Sequence, residues 1–170
     1  MASVAAPTAL WSLFSAKVDL LGATMMRTSS AAGAASLLAG LAPRFACSAS
    51  VSRLYPAVGR AAARTGASPA TEMVAPGVYA IAETGSVAVD EPANDRGACF
   101  LAEHLWLLVP EREIVGTLDL GIERLHALVR NGSHHPLLMS GPSRTADIER
   151  VLTIGVHGPR ALTIVVVGDS

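Results

Sequence analysis

Aromatic residues are scarce in this chain: three Phe, two Trp and two Tyr make up 4% of 170 residues. Stacking platforms for bases or sugars are therefore few, and Trp11 and Trp106, each inside an apolar pattern, read as core residues. Cysteine is nearly absent as well. Cys47 and Cys99 stand far apart, with no C-x-x-C spacing and no set of four ligands for an iron-sulfur cluster, and two isolated thiols point to a reduced, cytoplasmic setting. No run approaches the roughly 20 apolar residues of a membrane-spanning helix. No glycine-rich dinucleotide fingerprint and no Walker A pattern occurs, which argues against NAD or ATP. The net charge of -1 argues against a nucleic-acid binder.

What the chain does have is apolar bulk, 51% of its residues, enough for one sizeable core and one domain over 1–170. Charge divides it in two. Residues 1–71, rich in Ala and Ser, carry six basic residues against Asp19 alone, for +5, whereas 72–170 carry -6. A basic, acid-poor beginning is also the composition of an organelle transit peptide. The same residues, however, read as ordinary alternating elements, and Lys17 and Asp19 interrupt any signal-peptide core.

Leu10, Phe14, Lys17, Val18 and Leu21 recur at helical spacing, with Gly22 as a stop. "TMMRT" reads as a strand, Ser29 or Ser30 as the cap of an Ala-rich helix, "FACSAS" as a short buried strand, and Pro56 as the first turn of a helix ending near Gly66. "GVYAIAETGSVAVDEP" places two β-rich runs around a tight turn at Glu83, Thr84 and Gly85. "HLWLLVP", "HPLLMSG" and "ALTIVVVG" read as apolar strands, and Leu118, Ile122, Leu125 and Val129 share one helical face. Strands apolar on both sides and alternating with helices predict an α/β, Rossmann-like, mostly parallel sheet with helices on both faces. The hairpin at Thr84-Gly85 would be its antiparallel exception.

Three motifs carry the chemistry. "SGPSRTADIE" predicts a βαβ unit whose helix starts near Thr145 and stops at Gly155, with Ser143 or Thr145 as cap and Asp147 and Glu149 complementing the helix dipole. Arg144 does not fit that physics, because a cation at a helix N-terminus needs a negative partner. Asp147 and Glu83 are internal candidates, and a bound carboxylate or phosphate is the external one. "AETG" puts Glu83 after an apolar strand, where burial would raise its pKa toward that of a useful acid or base; a solvated turn glutamate is the plainer reading. "VHGPR" puts His157, Gly158 and Arg160 at the far end of the same expected helix, so that His157 and Arg144 lie on opposite edges of the sheet within one subunit, unless an oligomer interface joins them. His104, His126, His134 and His135 make no metal-ligand spacing with a Cys or acid, and no metal is expected.

With "YAIAETGSVAV", "SGPSRTADIERVLTIGVHGPR" and "ALTIVVVG" all in place, residues 77–168 resemble the LUD-domain family, in its lactate utilization protein C (LutC/YkgG-like) group. The resemblance implies a sheet related to the ribose-5-phosphate isomerase and CoA transferase superfamily. It implies a subunit without clusters in an L-lactate utilization system, oxidising lactate to pyruvate beside iron-sulfur-containing partner subunits. The family positions are Glu83, Thr84, Gly85, Ser143, Arg144, Thr145, Asp147, Glu149, His157 and Gly158. Family members are usually longer at the N-terminus; Val78 stands where relatives often have an acid, and Ser86 where they have Thr. Two further readings accompany this one. One is a stand-alone isomerase- or CoA-transferase-like enzyme using Glu83 on a phosphorylated or acyl substrate; the other is a scaffold in which the motifs are caps and ion pairs.

Overall fold

The computed structural model describes residues 7–65, 71–146, 152–154 and 158–169. Helix α1 (Pro7–Leu20) leads into β1 (Thr24–Thr28), α2 (Ala31–Leu41) and the short β2 (Ala46–Cys47). Helices α3 (Ala49–Leu54) and α4 (Pro56–Thr65) precede β3 (Glu72–Pro76), the hairpin β4 (Tyr79–Ile81) and β5 (Ser86–Val89), then α5 (Ala93–Leu101) and β6 (His104–Pro110). After a 3-10 turn at Glu111–Glu113 come β7 (Ile114–Val115), α6 (Leu118–Arg130) and β8 (Leu137–Met139). The last strands are β9 (Arg144–Ala146), β10 (Leu152–Ile154) and β11 (Ala161–Val167).

The expected caps are in place: Ser30 Oγ accepts from Gly33 N at 3.2 Å, and Pro56 opens α4. The parallel sheet is also present, five strands in the order β1-β11-β6-β3-β2. Alternation along its strands sorts side chains into two cores. Trp106, Leu108, Val165 and Val167 point to one face and pack under α2 and α4, with Leu38 and Val58. Leu105, Leu107, Val109, Ile164 and Val166 point to the other, where Phe14 and Val18 of α1 and Cys99 of α5 meet them.

That second face differs from expectation. The hairpin is no exception inside one sheet; with β7 and β8 it builds a second, four-stranded sheet in the order β7-β4-β5-β8. Ala80, Val87 and Val89 face the parallel sheet, while Tyr79, Ile81 and Ala88 face outward toward Leu128 of α6. Helix α6 approaches through Gly121, where a Cβ would collide with Ile81, and Tyr79 Oη donates to the Gly121 carbonyl at 2.7 Å. Its expected apolar stripe is largely left outside, with Leu118, Ile122 and Val129 exposed.

Where a helix was expected to start near Thr145, Arg144–Ala146 is a strand, paired antiparallel with Leu152–Ile154. Thr145, Thr153 and Ile154 are β-branched and favour the pleated backbone over the helix that the cap pattern suggested. No βαβ unit forms here either, since β8 and β11 belong to different sheets. The expected stop at Gly155 lies outside the described residues. Among the described residues no helix is long and apolar enough to cross a membrane.

One pH response is built into the sheet. His104 stacks on Trp106 with 4.4 Å between ring centroids, its Nε2 lies 2.9 Å from Thr163 Oγ1, and its Nδ1 lies 3.3 Å from Glu72. Burial lowers its pKa from 6.5, against the upward pull of Glu72. The unfolded chain therefore binds the proton more readily, so this group's stabilising contribution is present above the ordinary histidine pKa and is lost as pH falls through the folded value. In thermal melts from pH 7 to pH 5, wild type is expected to lose Tm more steeply than His104→Gln; parallel slopes would disprove it.

Candidate functional site

The three motifs meet at one edge of the molecule. The hairpin turn is closed by Gly85, at φ +69°, whose N donates to the Ile81 carbonyl at 2.9 Å. Beyond the turn, Thr84 Oγ1 donates to Ser86 Oγ at 2.8 Å, and Ser86 Oγ lies 2.7 Å from Ser140 Oγ, the first residue of "SGPSR". Ser143 N donates to the Pro159 carbonyl at 2.8 Å, and a Cβ on Gly158 would lie 3.1 Å from that of Ser143. The Arg144 guanidinium folds over Gly22, which offers no side chain to obstruct it. Since β1, β6 and β11 begin beside these residues, the edge is the amino-terminal one of the parallel sheet.

The βαβ unit expected here would have put Ser143 to Thr145 at the carboxyl ends of parallel strands, which is not where they lie, and Gly158 and Pro159 are beside Ser143 and not across the sheet from it, because β10 runs back antiparallel to β9; His157 itself lies outside the described residues. Gly158 and Ser143 are neighbours. A cleft of about 380 Å³ opens between them, lined by Ser140, Ser143, Arg144, Gly158, Leu21 and Phe100 among others.

Of the two readings of Glu83, the exposed turn glutamate is the one found; its Oε2 accepts from Leu118 N at 2.7 Å and so caps α6. A base or nucleophile at Glu83 would have to give up that cap. Arg144 is exposed and forms no ion pair with a carboxylate among the described residues. Thr145 contributes its backbone to β9. Asp147, Glu149 and His157 lie outside the described residues.

A larger cleft, about 690 Å³, lies at the opposite end, where β3, β6 and β11 finish in Pro76, Pro110 and Val167. Carboxyl ends of parallel strands are where ligands collect in open α/β sheets. Its most unusual residue, Glu91, was missed by reading the sequence. Glu91 is 3% exposed, and neither carboxylate oxygen completes a hydrogen bond among the described residues. Burial pushes its pKa up, opposed by the nearby Ser50 and Ser48 hydroxyls, which lie close enough to favour the charge without meeting hydrogen-bond geometry. Asp95 pushes it further up and Arg53 pulls it down. Beside it the Cys99 thiol is pushed up to about 12, chiefly by burial, which leaves it inert as a nucleophile. The available signal was an acid pair, Asp90-Glu91, directly after a strand apolar at every position from Val87 to Val89. Among the described residues no three His, Cys, Asp or Glu side chains are grouped to hold a metal ion.

The family model for the LUD domain matches residues 56–167. The chain belongs to the LUD domain family. Among relatives of this LUD chain, a lactate utilization protein C from Deinococcus radiodurans is 42% identical over 92 residues, 52% of this chain and 42% of its own length. A lactate utilization protein C 1 from Bacillus mycoides is 33% identical over 94 residues, 53% of this chain and 40% of that one. The protein YkgG from Escherichia coli is 30% identical over 95 residues, 54% and 41% of the two chains. The match thus spans less than half the length of each of these relatives. The crystal structure of a duf162 family protein from Deinococcus radiodurans superposes with a TM-score of 0.67 at 24% identity, covering 96% of this chain and 99% of that one, a likeness of fold.

Proposed function

We propose that this LUD-domain protein serves lactate utilization as a subunit that holds a small carboxylate, or a carboxylate presented by a partner, at Arg144. The observation that carries the reading is the Arg144 guanidinium, without an ion-pair partner among the described residues, lining a cleft with the Ser140 and Ser143 hydroxyls. A guanidinium fork flanked by hydroxyls matches a carboxylate in charge and shape. The names of the relatives supply lactate as the context. Oxidising lactate to pyruvate removes two electrons and two protons, so an acceptor is required; the reading assigns it to iron-sulfur-bearing partner subunits, with no cofactor in this chain. The free thiols of Cys47 and Cys99 suit a reducing compartment, and the reading places the protein in the cytoplasm.

The test is a thermal-shift titration with L-lactate, pyruvate, inorganic phosphate and a CoA thioester, on wild type and Arg144→Ala. Lactate or pyruvate is expected to raise the wild-type midpoint, by the equivalent of about 2.7 kcal/mol at a hundredfold excess over Kd, and to do nothing for the variant. A response to phosphate or the thioester alone would replace the carboxylate. The partner half falls if Arg144→Ala supports both lactate-dependent growth and capture of the cluster-bearing subunits as wild type does.

A further inference from the structure

The cleft at the carboxyl ends of the parallel strands lies at the other end of the molecule from Arg144, and its chemistry is of the opposite sign. We infer that it binds a small primary-amine cation, the ammonium seated on the carboxylates of Glu91 and Asp90.

Glu91 carries the inference. A buried polar atom without a partner is costly, so a native structure that keeps one calls for an explanation. Both Glu91 oxygens are in that state, and the residue lines two clefts, of about 690 Å³ and about 660 Å³. A ligand that satisfies it must donate hydrogen bonds.

The surroundings select the charge of that donor. Asp90, Glu91, Glu113 and Asp169 line the larger cleft against Arg53 and Arg112. Arg112 is already engaged by Asp169 and Glu113, and Glu113 also takes Arg124 at 2.7 Å. Asp90 spends one oxygen on Ser133 Oγ, at 2.5 Å, and lines both clefts beside Glu91. Two of the strands that end here do so in proline, Pro76 and Pro110, which bring no N–H group to hold an anion. An anion would thus meet an excess of carboxylates with Arg53 as its main support, whereas an ammonium brings three donors and a positive charge. A divalent metal is not favoured, for want of three grouped ligands among the described residues.

Burial raises the Glu91 pKa, so the carboxyl holds a proton more readily than a free glutamate does; an ammonium seated on it favours the charged form and draws that pKa back down. The groups acting on Glu91 are Ser48, Ser50 and Arg53 around α3 and Asp95 on α5.

Isothermal titration calorimetry with ethanolamine and putrescine, against ethylene glycol and acetate as neutral and anionic controls, tests this on wild type, Glu91→Gln and Arg144→Ala. The expected result is saturable binding of an amine by wild type, at least tenfold weaker in Glu91→Gln, unchanged in Arg144→Ala and absent for both controls. Persistence in Arg144→Ala separates this site from the carboxylate site proposed above. No amine binding, equal binding by Glu91→Gln, or stronger binding of glycol or acetate overturns it. Should Glu91→Gln not fold, carbon-13 NMR of the Glu91 carboxyl in wild type replaces it: the amine is expected to lower its titration midpoint, and an unmoved midpoint overturns the proposal.

Discussion

Gly141→Val is expected to cost about 2 to 5 kcal/mol of stability and to abolish the carboxylate binding proposed at Arg144 with it. Two effects combine. Gly141 sits at φ +81°, a conformation that a β-branched residue adopts only under strain, and a Cβ there would lie 2.8 Å from the Leu21 carbonyl oxygen. Backbone is the obstacle, so the loop after α1 must move, and Arg144 rests on that loop at Gly22. Gly132→Val separates the two effects. Gly132 has φ +96° with nothing within 4 Å of its Cβ position, so it is expected to lose only the strain, about 1 to 2 kcal/mol. Equal losses in urea denaturation would show that the contact with Leu21 contributes nothing.

Trp106→Ala is expected to cost about 3 to 5 kcal/mol, read as a lower urea midpoint at unchanged slope. Its strand, β6, is central, flanked by β11 and β3, and its ring fills the core under α2 and α4 at 3% exposure. The indole also donates to Glu72 at 2.5 Å, beside the stacked His104. Trp106→Phe keeps most of the ring and removes the donor, for an expected loss of about 1 to 3 kcal/mol as Glu72 is left without it. A loss below about 2 kcal/mol in Trp106→Ala would mean that α2 and α4 close over the gap.

Local features were legible where local physics decides them. Ser30 as a cap, Pro56 at the start of α4, Gly85 in the hairpin turn and the runs of β6 and β11 all follow from nearest neighbours. Helix α5 went unassigned because "ANDRGACFL" holds few apolar residues and a glycine, and β3 because "EMVAP" ends in proline. The division into two sheets was hidden for another reason: Val87 and Val165 show the same alternation, and only pairing with distant strands decides which sheet each joins. On α6, periodicity picked out Leu118, Ile122 and Val129, but the small size of Gly121 governs which side packs closely. The site divides in the same way. Ser143, Arg144 and Gly158 stood out as motifs, yet their juxtaposition depends on a β9–β10 hairpin that cap signals disguised as a helix. Glu91 looks like a turn acid until the burial around it is known.

Strand β11, the last of the described strands, sits second in the sheet, between β1 and β6. Among the described residues Thr24–Thr28 thus finds its sheet partner only in Thr163–Val167. During synthesis α1, β1 and α2 emerge before β11, and β1 lacks its partner strand until residues 161–167 have been made. Pairings of such long range close slowly, and an open edge can meanwhile pair with another chain. Insertion of residues 161–167 and aggregation therefore compete for the same gap, and a mutation that delays β11 will lower the yield of native protein more than its effect on final stability would indicate.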